Sequence, residues 1–224
     1  MQLPEWVVLH IPHDSTVIPA SVREQFLLSD AELALELQRI TDHHTLALFA
    51  TPEIADQVVA APVSRLVVDV ERFAKDADEP MARRGMGAVY THTSQNTPLR
   101  RPLSASEHKA LMQAWYYPHH ARLQQKVARV LEQHGKCLII DCHSFPDQAL
   151  PYEMADAQRT RPDICIGTDS YHTSRALTGA FIDEFSRAGW SIRLNDPFAG
   201  ALVPASHYHQ DKRVSAVMIE VNRK

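Results

Sequence analysis

Cys137-Leu138-Ile139-Ile140-Asp141-Cys142-His143-Ser144 is the stretch whose reading decides the fold. Its apolar half is short, β-branched and preceded by His134-Gly135-Lys136, which predicts a buried strand. A polar cluster at the end of a buried strand is costly unless something there uses it. In an α/β sheet, the carboxyl edge of the strands is where ligands bind. The same arrangement occurs at the beginning of the chain, where Trp6-Val7-Val8-Leu9 runs into His10-Ile11-Pro12-His13-Asp14-Ser15. Two strand ends offering histidines and carboxylates point to a metal site.

Outward from these two strands, helical and strand patterns alternate. Leu33, Leu37, Ile40, Leu46 and Phe49 recur at helical spacing after Ser29-Asp30, which predicts one helix from about 30 to 49. Gln57–Ala60 and Arg65–Val70 read as two short strands around Pro62. A long helix is expected from Ser104 to about Gln133, kinked or divided at Pro118. Strands are expected at 163–167, 190–194 and 214–221, with an amphipathic helix over 173–188 and strong turn chemistry in Asn195-Asp196-Pro197-Phe198-Ala199-Gly200. Residues 74–103 carry Gly85, Gly87, four arginines and three prolines without periodicity, so they are expected to be a lid, a binding loop or partly disordered. The alternation argues for a three-layer α/β/α domain spanning 1–224, on a mixed, mostly parallel sheet.

Bulk properties narrow the function. The 224 residues suffice for one large domain with a sizeable core. A net charge of −4 implies no general attraction to nucleic acid or to an anionic membrane surface. No apolar run approaches the length of a membrane span, and no signal peptide is visible. Three cysteines without metal-ligand spacing fit a reduced, cytoplasmic protein. Thirteen histidines invite a search for metal ligands.

Catalytic zinc takes three ligands from His, Asp and Glu and leaves one position open. His13 and His143 are the strand-end candidates, and Thr41-Asp42-His43-His44 is the best source of a third ligand, through Asp42 or His44. Glu220 follows the apolar run Ala216-Val217-Met218-Ile219, where a carboxylate can have a raised pKa and act as a general base. A salt bridge from Glu220 to Arg223 or another arginine is the competing reading. Arg65 and Arg72 bracket an apolar run and could hold a carboxylate or an oxyanion. Cys142 adjoins His143, but alternation along a strand points the two side chains apart.

These segments, in this order, resemble the N-formylglutamate amidohydrolase family, itself similar to the zinc carboxypeptidases and to the aspartoacylase and succinylglutamate desuccinylase group. The resemblance rests on His10–Ser15, Thr41–His44, Arg65–Arg72, Asp141–Ser144 and Ile219–Arg223. It implies a carboxypeptidase-like fold and a Zn2+ held by His13, Asp42 and His143. It also implies Glu220 as general base, Arg65 at the oxyanion, and Arg72 on a substrate carboxylate, with Arg83, Arg84, Arg100 and Asn222 as further substrate-binding residues. One departure is notable: the family's D-L-N-R pattern reads Asp69-Val70-Glu71-Arg72 here, an acid in place of an amide. The implied activity is zinc-dependent hydrolysis of a small N-acyl amino acid such as N-formylglutamate. A zinc peptidase acting on a peptide or cell-wall fragment, and a silent carboxylate-binding module, are the alternatives.

Overall fold

A computed structural model describes residues 3–153 and 159–224. Its strands, in chain order, are β1 (Val7–Ile11), β2 (Val58–Ala60), β3 (Cys137–Phe145), β4 (Ile164–Gly167), β5 (Ile192–Leu194) and β6 (Val214–Asn222). The helices are α1 (Ala20–Arg23), α2 (Asp30–Ile40), α3 (Thr45–Phe49), α4 (Ala105–Leu111), α5 (Tyr117–His134) and α6 (Arg175–Arg187). The strands form one sheet in the order β2-β1-β3-β6-β4-β5. All neighbours are parallel except β4 and β6, which run antiparallel. The sheet is therefore mixed and mostly parallel, as the sequence predicts.

Side-chain alternation gives the sheet two buried faces. On one face Val8, Ile139 and Ala216 meet Leu123, Val127, Val130 and Leu131 of α5. On the other, Val7, Leu9, Leu138, Val217 and Ile219 meet Phe49 at the end of α3 and Leu177, Phe181, Ile182 and Phe185 of α6. Cys142 belongs to this second face, and its buried thiol donates to the Ile140 carbonyl. It points away from His143, as alternation requires.

Two expectations about local structure are corrected. Arg65–Val70 is not a strand. Leu66, Val67, Val68 and Val70 instead sit inside a third core with Met86, Tyr90, Leu99, Leu111, Met112 and Tyr116. A run buried on all sides still needs its backbone groups bonded. Here Asp69 N–H donates to the Ala88 carbonyl, and Arg100 donates to the carbonyls of Leu66 and Val67. The predicted 30–49 helix breaks after Ile40: Thr41 is extended and His44 has φ 69° before α3 begins. The Asp42 N–H is diverted to the His13 carbonyl at 3.0 Å, which draws the break onto the end of β1. Residues 74–103 pack into the third core through the fully buried Met86, Ala88, Tyr90 and Leu99, and supply Pro80, Met81 and Arg84 to the cavity described below, in keeping with a binding loop.

The predicted 104–133 helix is divided by a π turn at Met112–Tyr116, with Pro118 in the first turn of α5. Proline's missing N–H is tolerated there. Among the described residues, no helix is long and apolar enough to cross a membrane.

Candidate active site

β3 and β6 lie side by side in register, so His143 and Glu220 are direct neighbours at the carboxyl end of the sheet's two central strands. β1 lies on the other side of β3 and delivers His13 from the loop after Ile11. The break between α2 and α3 brings in Asp42. The ligand-type atoms of His13, Asp42 and His143 all lie within 4.8 Å of one another, and all three residues are buried. His143 Nδ1 is 2.8 Å and His13 Nδ1 3.5 Å from the same carboxylate oxygen, Asp42 Oδ2. His44 is exposed at the start of α3, so Asp42 is the member of the Asp-His-His cluster that joins the histidines. Ser144 donates to the His43 carbonyl at 2.9 Å and ties this break to the end of β3.

The donor set suits zinc. Two imidazoles and one carboxylate make a three-ligand catalytic set. His13 Nδ1 is buried and has no hydrogen-bond partner, while Nε2 is held by Asp69 Oδ1 at 2.8 Å. That is the arrangement of a ligating histidine, whose second nitrogen is fixed by a carboxylate. Asp69 is itself anchored by Arg65 at 2.9 Å, by the Tyr90 hydroxyl and by the Glu71 N–H at 2.9 Å.

Electrostatics are strongly perturbed. Burial and Arg65 depress the His13 imidazole, and the adjacent Asp69 and Asp42 carboxylates override both and raise its pKa. Burial likewise opposes charge on His143, yet Glu71, Asp141 and Glu220 hold its pKa well above the usual range. Asp42 is held below the ordinary carboxylate range by its two histidines, against the effect of burial. Glu220 moves the other way. Burial, reinforced by Asp42 and Glu71, pushes it up to about 8, while His143 and His13 pull it back. Among the described residues the Glu220 side chain makes no hydrogen bond or ion pair. Arg223, the proposed salt-bridge partner, donates instead to the Ser144 carbonyl and hydroxyl at 2.7 and 2.9 Å.

A cavity of about 500 Å³ opens over these groups. His13, Asp42, His143, Glu220 and Glu71 line it together with Arg39, Arg65, Arg72, Arg84 and Arg223. Arg65 is largely committed, to Asp42, Asp69 and Tyr90. Arg72 is freer: its buried Nε lacks a hydrogen bond and stands 3.5 Å from Asp69. Three of the substrate-binding residues implied by the resemblance lie off the cavity lining. Arg83 is absent from it, Arg100 is spent on backbone carbonyls, and Asn222 donates to Asp147 and the Pro162 carbonyl. Sequence reasoning missed Arg39 and Tyr152, which line the cavity from the last turn of α2 and from a short helical turn after β3. No local pattern distinguishes either from an ordinary surface residue. The orienting role of Asp69 was also hidden, because only the fold brings it to His13.

The family model described as N-formylglutamate amidohydrolase matches residues 6–224. N-formylglutamate deformylases from Pseudomonas aeruginosa and Pseudomonas putida are each 26% identical over 225 aligned positions, covering 96% of this chain and 79% of theirs. The crystal structure of an N-formylglutamate amidohydrolase from Ralstonia eutropha JMP134 superposes with a TM-score of 0.82 at 22% identity, covering 97% of this chain and 82% of that one. A second structure, from Agrobacterium tumefaciens, gives a TM-score of 0.68 at 22% identity, with 97% and 80% covered. The chain belongs to the N-formylglutamate amidohydrolase family and is a hydrolase of amide bonds.

Proposed function

We propose that this chain hydrolyses the amide of a small N-acyl amino acid, N-formylglutamate foremost, using Zn2+ held by His13, Asp42 and His143. The observation that carries the reading is Glu220: a buried carboxylate whose side chain has no partner among the described residues, in the same cavity as a buried His-Asp-His set. The names of the Pseudomonas relatives support the substrate. Zinc in this position supplies Lewis acidity and lowers the pKa of a water molecule toward about 7.

The remaining steps belong to the protein. Glu220 accepts a proton from the attacking water, placed for that role beside His143 in the wall of the same cavity. It then delivers that proton to the amine nitrogen as the carbon–nitrogen bond breaks, releasing formate and the free amino acid from a formyl substrate. Arg65 keeps Asp42 and Asp69 in place and presents positive charge to the developing oxyanion. Arg72, with Arg84 and Arg223 in the same cavity wall, holds the substrate carboxylates.

The test is a parallel assay of N-formylglutamate, other N-formyl amino acids and short peptides, with zinc content measured on the same sample. Deformylation that is lost on chelation and restored by zinc supports the reading. Peptide cleavage in its place, or full activity in Glu220→Gln, overturns it.

A further inference from the structure

Behind His143, on the side of the ring away from Asp42, lies a second set of ligand-type atoms. His10, Glu71 and Asp141 each offer one, all within 4.8 Å of one another. Asp141 Oδ1 stands 2.7 Å from His10 Nδ1 and 3.3 Å from His143 Nε2. Glu71 reaches the same two histidines, at 3.8 Å from His10 Nδ1 and 3.4 Å from His143 Nε2. Donors bound about 2.0–2.1 Å from one tetrahedral ion sit roughly 3.3 Å apart. The observed separations bracket that value.

Two further observations bear on what fills this space. His143 Nε2 is buried without a hydrogen-bond partner, although it faces two carboxylate oxygens, and its side chain is only 3% exposed. Among the described residues, neither Glu71 nor Asp141 has a lysine or arginine within ion-pair distance; their charged contacts are histidines alone. Asp141 is buried and Glu71 is half-buried at the cavity wall, so two carboxylates are held close together where a cation would be stabilised. The surrounding groups also hold the donors in position. His10 Nε2 meets His119 Nε2 at 2.8 Å, and the other oxygen of Asp141 accepts the Leu202 N–H at 2.8 Å. Ligating groups are held in this way by outer partners.

We infer that His10, Glu71, Asp141 and the Nε2 of His143 form a second site for a divalent transition-metal ion, adjoining the His13-Asp42-His143 set through His143. Mixed imidazole and carboxylate donors suit zinc and its first-row neighbours. Binding displaces the protons that the ligands carry in the metal-free protein. The site shares only His143 with the proposed zinc centre and needs no assumption about the substrate. Glu71, where the family pattern carries an amide, makes the site a property of this chain.

The test strips the full chain with chelator, titrates it with zinc sulfate, removes free metal and measures bound zinc. Wild type should retain about two equivalents per chain, and Glu71→Gln and Asp42→Asn about one each. A wild type that retains one equivalent, unchanged in Glu71→Gln, overturns the second site. A single equivalent that is lost in Glu71→Gln but kept in Asp42→Asn removes the first site and retains the second. If Glu71→Gln fails to fold, anomalous scattering at the zinc edge from wild-type crystals decides. A peak among His10, Glu71 and Asp141 supports the inference, and one confined to His13, Asp42 and His143 refutes it.

Discussion

Glu220 is 6% exposed and its side chain has no polar partner among the described residues, so the surroundings of this one side chain govern both chemistry and stability. Glu220→Gln keeps its shape and removes its proton chemistry. We expect kcat to fall by about 10²–10⁴ with zinc content unchanged, measured side by side on one preparation. The same substitution has a signature in the metal-free protein. In the unfolded chain Glu220 ionises near 4.5, whereas in the native chain it keeps its proton up to about 8. A folded-state pKa above the unfolded value gives a stabilising contribution that is complete below 4.5 and lost as pH rises through about 8. Urea midpoints of chelated wild type should therefore decline between pH 5 and 8.5, and those of Glu220→Gln should decline less. His13 and His143, also raised, leave part of the slope in both proteins. A second prediction concerns Asp69, which fixes the ring of His13. Asp69→Asn should weaken zinc binding about 10–100-fold while the fold persists, as competition with a chromogenic chelator would show.

At the scale of elements, β1, β3 and β6 were legible because each is an apolar run closed by polar residues, and that pattern also located His13, His143 and Glu220. Asp42 was legible only as one of a cluster, since the break after Ile40 is held by a tertiary hydrogen bond to His13 in the loop after β1. Arg65–Val70 misled because an apolar run bonded to an arginine side chain looks, in sequence, the same as one bonded to a neighbouring strand. Arg100 was misplaced for the complementary reason: a guanidinium that serves buried carbonyls has the same sequence signature as one that binds substrate. β4 carries a test of its own. A methyl group added at Gly167 would meet the Gly200 carbonyl oxygen at 2.5 Å and the Met218 methyl at 2.3 Å. The side chain can move, but the backbone oxygen cannot without shifting the Pro197–Gly200 turn, part of which lines the cavity. Gly167→Ala should cost about 1–3 kcal/mol, the range for overpacking, measured by equilibrium unfolding.

For the whole molecule, the cluster of His13, Asp42, His143 and their carboxylates couples ligand binding to folding, because those side chains converge only in the native chain. An ion at 100 times its dissociation constant adds about 2.7 kcal/mol. For a chain of this size that corresponds to roughly 5–10 °C, so chelation should lower Tm by that amount and zinc should restore it. The strand order has a kinetic consequence as well. β6 is inserted between β3 and β4, although β4 and β5 precede it in the chain. The β4–β5 pair therefore has no neighbour to dock on until β6 has crossed back to β3. Such long-range pairing closes large loops and is intrinsically slow. During that wait, the unfilled edge of β3 is exposed to other chains, and refolding yield should fall as protein concentration rises.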